Sequence, residues 1–135
     1  MKYKIIDIEG VGETYAEKLT VAGIDTVEKL LERCASAKGR AEVAAETGIS
    51  EKLILRWTNH ADLFRIQGIG PQFAGLLEAA GVDTVKELRH RVPANLEKRI
   101  TEVNEARNLT GRVPSVKELT KMIEGAGTLE PVVTY

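Results

Sequence analysis

Apolar residues recur along the chain at helical rather than strand spacing. Tyr15, Leu19 and Ala22 fall at i, i+4 and i+7, one face of a helix, and Phe73, Leu77 and Ala80 repeat the pattern. Gly23 and Gly81 follow where a helix takes a left-handed C′ residue, with Ile24 or Val82 as the apolar contact of that cap. Thr26 and Thr84 then read as N-caps of a second helix, Thr84 forming a capping box with Glu87. A helix is predicted over about Ala37–Thr47, with Ala37, Ala41 and Ala44 on one face and Gly48 as its stop. Ser50 opens a helix whose stripe is Ile54, Trp57, Ala61 and Phe64. Pro93 suits a first helical position, and Leu96, Ile100, Val103 and Ala106 form the next stripe. Ser115 with Glu118 opens the last helix. Leu19, Leu30, Trp57, Leu77, Leu88 and Ile100 are the expected core. Strand-like composition is confined to Tyr3–Asp7 and Pro131–Tyr135, which could pair as a short two-stranded ribbon.

The pattern is duplicated. Ile8–Arg33 aligns without gaps to Ile66–Arg91, 58 residues later, with identities that include Gly10/Gly68, Gly12/Gly70, Leu19/Leu77, Gly23/Gly81 and Thr26/Thr84. The tails correspond once a short insertion is allowed: Ser50, Ile54, Trp57 and Ala61 against Ser115, Leu119, Met122 and Ala126. Each copy reads as hairpin, helix, glycine turn, helix, followed by two further helices. We therefore expect an all-α fold of two tandem units, residues 1–65 and 66–135. With no low-complexity linker between them, they should pack as one compact body.

Composition narrows the chemistry. The 135 residues are 43% apolar and 29% charged, and 19 basic against 20 acidic side chains leave a formal charge of −1. Bulk positive charge is thus excluded as a means of holding nucleic acid. No apolar run approaches the roughly 20 residues of a membrane span, and we expect no signal peptide at the N-terminal residues and a cytoplasmic protein without membrane contact. One cysteine, Cys34, rules out an internal disulfide, and with two histidines it leaves too few ligands for a structural zinc site. Cys34, His60 and His90 read as an inert small residue and two surface or helix-end imidazoles. The carboxylates are scattered over helix surfaces and no catalytic constellation is present, so neither an enzyme nor a cofactor is expected. Tyr3–Asp7 followed by Gly10-Val11-Gly12 imitates a dinucleotide-binding turn, but Tyr15 stands where the third glycine belongs.

The segments IEGVGETYAEKLTVAGIDT and IQGIGPQFAGLLEAAGVDT each resemble the helix-hairpin-helix motif in full. The whole chain further resembles an uncharacterised bacterial family of unknown function, in which two such motifs form a small protein with a short apolar tail ending in tyrosine. The motif resemblance implies an all-α bundle and contact with nucleic-acid backbones without sequence preference. In many of its members the motif is a structural or protein-binding element instead.

The physics of that activity is local. Glycine admits the sharp turn, and the amides that follow are the unsatisfied N–H groups of a helix N-terminus, an anion site. Val11 and Ile69 would anchor those turns. The two hairpins differ in charge. Asp7, Glu9, Glu13 and Glu17 crowd the first, Gly10-Val11-Gly12, which is at most a secondary site. The second offers Gly68, Ile69, Gly70 and Gln72, with Arg65, Arg89 and Arg91 as supporting charge. Both depart from the binding form of the motif, which carries Lys or Arg after the second glycine, where Glu13-Thr14 and Pro71-Gln72 stand here. Two readings follow: weak, non-specific contact with a DNA or RNA backbone through the second hairpin, or a protein-interaction or self-association module that keeps its hairpins as helix connectors. Trp57, Phe64 and Phe73 are expected in the core rather than as base-stacking platforms, with Tyr3 and Tyr135 the better candidates for exposed rings.

Overall fold

The computed structural model describes residues 3–135, and among these the chain is all-α, with eight α-helices and no strand. It divides into two compact units, Met1–Asp62 with Pro131–Tyr135, and Leu63–Glu130.

The first unit contains a 3-10 turn, Ile5–Asp7, and helices α1 (Gly12–Val21), α2 (Val27–Cys34), α3 (Ala37–Thr47) and nearly all of α4 (Glu51–Leu63). The 3-10 turn packs on α1, and α2 packs on α3. Gly23 closes α1 at φ +88°, and the Ile24 amide donates back to the Leu19 carbonyl at 2.8 Å, which satisfies a group that a helix end leaves open. Thr26 caps α2 by accepting the Lys29 amide at 3.2 Å. Leu19, Leu30 and Trp57 are fully buried, and the Tyr15 and Trp57 rings meet with centroids 5.2 Å apart.

The second unit holds α5 (Pro71–Ala79), α6 (Val85–Arg89), α7 (Pro93–Arg107) and α8 (Val116–Thr128). Helices α6 and α7 pack on α8, and α5 packs on α7. Gly81 ends α5 at φ +94°, Thr84 caps α6, and Pro93 starts α7. Leu77, Leu88 and Ile100 are buried. Asn108 stops α7 in the left-handed conformation at φ 51°, a role its short polar side chain tolerates.

Several expectations need correction. The terminal ribbon does not form. Each end instead serves an open end of α2: the Tyr3 carbonyl accepts the Val27 amide at 3.1 Å, and the Thr134 amide donates to the Ala35 carbonyl at 2.8 Å. Unpaired groups at helix termini therefore compete successfully with a two-stranded pairing. Pro131–Tyr135 accordingly groups with the first unit. Helix α3 buries Arg40 and Val43 while Ala37 and Ala41 are exposed; three alanines in a short helix define its face poorly, and a buried arginine reads as polar. Ala106 is exposed at the end of the α7 stripe. The Thr84 box closes on one side, because the Glu87 carboxylate is taken by Arg91. His60 is fully buried rather than superficial, since every residue from Trp57 to Phe64 is buried and a one-sided stripe cannot announce that.

Candidate nucleic-acid interface

The two glycine turns begin alike. Gly10 and Gly68 have φ of +90° and +95°, a region that strains any residue with a Cβ. The next residue is buried in each, Val11 and Ile69. Its amide closes the turn, Val11 to the Ile8 carbonyl at 3.2 Å and Ile69 to the Ile66 carbonyl at 3.1 Å. Ile69 therefore aims the turn and has no N–H to offer a ligand.

Beyond that point the turns diverge for a covalent reason. Gly12 lies at φ +69° and is itself the first residue of α1. Gly70 precedes Pro71, whose ring forces the preceding residue out of the helical region, and it takes an extended conformation, φ −109° and ψ −172°, as N-cap of α5. No side chain caps this helix and no acidic residue stands in its first turn, whereas α1 carries Glu13 there. Pro71 lacks an amide, so Gly70, Gln72 and Phe73 are left to supply the donors at the start of α5. Gln72 is exposed.

The arginines named from sequence are dispersed. Arg65 is half-buried and donates to the Glu130 carbonyl at 3.0 Å. Arg89 is exposed in the last turn of α6. Arg91 binds the Glu87 carboxylate through Nε and Nη2 at 3.1 and 2.9 Å, and the Gly81 carbonyl at 3.3 Å. Gly81 lies at the C-terminal end of α5, a full helix length of roughly 14 Å from Gly70. Arg91 thus caps the far end of the helix and does not support the hairpin.

Two other arginines stand at the turns. The Arg112 guanidinium lies 5.3 Å from the centroid of Phe73, in the first turn of α5. A loop clamp places it there: the Asn104 amide group holds Thr110 through two bonds of 3.1 and 2.9 Å, and the Thr110 hydroxyl donates to the Arg112 carbonyl at 2.6 Å. Arg112 also pairs with Glu118 at 2.7 and 3.0 Å. That bonding, followed by the Ser115 amide, pushes the Glu118 carboxyl down from 4.5 to about 2. In the first unit Arg56 lies over Gly10, its Nη1 3.2 Å from where a Cβ would stand. Neither arginine is flagged by a motif. Arg112 is positioned by contacts far along the chain, and Arg56 sits one residue off the apolar stripe of α4.

Among the described residues no group of three or more His, Cys, Asp or Glu is arranged to hold a metal ion, and no helix is long and apolar enough to cross a membrane. Residues 9–129 match the family model described as a domain of unknown function, DUF4332, and the chain belongs to that family. No curated protein and no solved structure matches it significantly.

Proposed function

We propose that this protein is a non-catalytic module that contacts nucleic-acid backbones without reading their sequence, through the second of two tandem helix-hairpin-helix motifs, at Gly68–Gln72. The observation that supports this reading is the open start of α5: an uncapped Gly70, no acid in the first turn, and the Arg112 guanidinium over the Phe73 ring. A phosphate oxygen there would meet amide donors and the positive end of a helix dipole. No side chain at the turn is placed to read base edges, so discrimination between sequences is not expected. The first hairpin, with Glu9 and Glu13 beside it, contributes little. Self-association or a protein partner is the second reading, favoured by Val21, which is 84% exposed at the end of α1.

The test is a titration with short duplex and single-stranded DNA at low salt, followed by amide chemical shifts. Shifts should centre on Gly70, Gln72 and Phe73 and vanish with added salt. A contact with ~2–3 phosphates gives a log–log salt slope of about −2 to −3. Arg112→Ala should weaken binding and make that slope shallower. If nothing moves at millimolar DNA, the nucleic-acid reading fails and the interaction reading replaces it.

A further inference from the structure

The first unit holds a segment, Pro131–Tyr135, that is neither helix nor strand and follows the last residue of the second unit. The backbone leaves the second unit at Glu130, and Pro131–Tyr135 belongs to the first. Thr134 is fixed at both of its main-chain groups: its N–H donates to the Ala35 carbonyl at 2.8 Å, and its carbonyl accepts Arg40 Nη2 at 2.6 Å. The Tyr135 hydroxyl donates to Asn59 Oδ1 at 3.0 Å, and the Arg40 guanidinium lies 5.8 Å from the Tyr135 ring centroid.

The receiving side is rigidly built. Arg40 is 5% exposed and Asn59 7%. The other guanidinium nitrogen of Arg40 is anchored on the Cys34 and Ala35 carbonyls at 2.9 and 3.1 Å. The delivered segment is the opposite: it forms no helix or strand, and Tyr135 is 71% exposed. A buried charged fork that grips the main chain of an extended segment, with one further position read through its side chain, is how proteins bind peptides.

We propose that the Ala35, Arg40 and Asn59 surface is a binding site for an extended Val-Thr-Tyr segment, and that it accepts Pro131–Tyr135 from a second copy of this chain as well as its own. The bonds at this site involve the main-chain groups and hydroxyl of Thr134 and the hydroxyl of Tyr135, which every copy carries. Exchange between copies therefore preserves each bond. The balance between own and exchanged segments is set by protein concentration against the local concentration of the tethered segment.

The test uses the 135-residue chain carrying Thr134→Pro, which deletes the main-chain donor to Ala35, and a synthetic peptide of residues 129–135. In the variant the Ala35 and Asn59 amide signals should move. The wild-type peptide should return them saturably, and a peptide with the same proline should not. Arg40→Gln is the complementary variant, with an intact segment and a broken site; Arg40→Lys, which keeps the charge but loses the fork, serves if the glutamine variant does not fold. Mixed one to one with Thr134→Pro, either should give a 1:1 complex in sedimentation that neither variant gives alone. Failure of millimolar peptide to move Ala35 or Asn59 overturns the binding site. Peptide binding without a complex in the mixture overturns the second copy as its occupant.

Discussion

Arg112 and Glu118 meet in two parallel bonds of 2.7 and 3.0 Å, at the turn where Glu118 also closes the cap of α8. The same carboxylate accepts the Ser115 amide at 3.1 Å, and the Ser115 hydroxyl accepts the Glu118 amide at 3.1 Å. Together these bonds tie the loop that carries Arg112 to the start of α8.

A pH dependence follows from this pair. Arg112 first, then the Ser115 amide, lowers the Glu118 carboxyl from 4.5 to about 2 in the fold. The folded state thus favours the ionised form. The resulting stabilisation is fully present above pH 4.5 and is lost as pH falls through about 2. Melting temperature measured from pH 7 to 2 should fall for the wild type with a component that Glu118→Gln lacks. The deficit of the variant should be largest near neutrality and shrink in acid. Added salt should reduce the difference, because both side chains face solvent.

Leu77 is 1% exposed on the face of α5 that the i, i+4, i+7 spacing marks. Leu77→Ala should cost about 2–5 kcal/mol, the transfer free energy plus the cavity left behind. Denaturant titration should show a lower midpoint with an unchanged slope. A loss well under about 1 kcal/mol would mean that the side chain contributes no such packing.

Glycines 23 and 39 should respond to alanine for different reasons. Gly23 has φ +88° and open space around a built Cβ, so Gly23→Ala should cost about 1 kcal/mol of backbone strain alone. Gly39 lies inside α3 without a positive φ, but a Cβ there would overlap the carbonyl oxygen of Arg33. That atom is backbone and cannot swing aside. Gly39→Ala should therefore fall at the upper end of the roughly 1–3 kcal/mol expected of overpacking. Equal losses in parallel thermal melts would contradict this ranking.

The helices were legible because their signals are local. Gly23, Thr26, Gly81, Thr84 and Ser115 act on neighbours within a few residues, and the chain obeys them. What sequence did not show is where long side chains end. Arg91 reads as charge near a hairpin, yet it settles on Glu87 and the Gly81 carbonyl, both close to it in space and both hungry for a donor. Arg112 reads as loop, yet the Asn104 and Thr110 bonds bring it over Phe73. Arg40 reads as a polar position in an alanine helix, yet it is buried because three carbonyls converge on it. Each outcome depends on a partner that no periodicity or motif names. The same limit applied to the ends of the chain, where strand-like composition said nothing of the open carbonyls and amides of α2.

Cys34 ends α2 and is fully buried. Burial pushes its thiol up from 9.0 to about 11, against the opposing influence of Arg33, Thr58 and Arg40. At pH 8 roughly one molecule in a thousand then carries the reactive thiolate, and even that one is shielded from reagent. A chromogenic disulfide reagent should therefore react with the native protein far more slowly than with a free thiol, and at the free-thiol rate once denaturant has unfolded it. Arg40 holds the Cys34 and Ala35 carbonyls at 2.9 and 3.1 Å, so this end of α2 opens only when those bonds break. Thr134→Pro, which removes the Ala35 partner from outside, should accelerate the native reaction without changing the unfolded rate. Labelling of the wild-type native protein at the free-thiol rate would show instead that this end of the helix stands open.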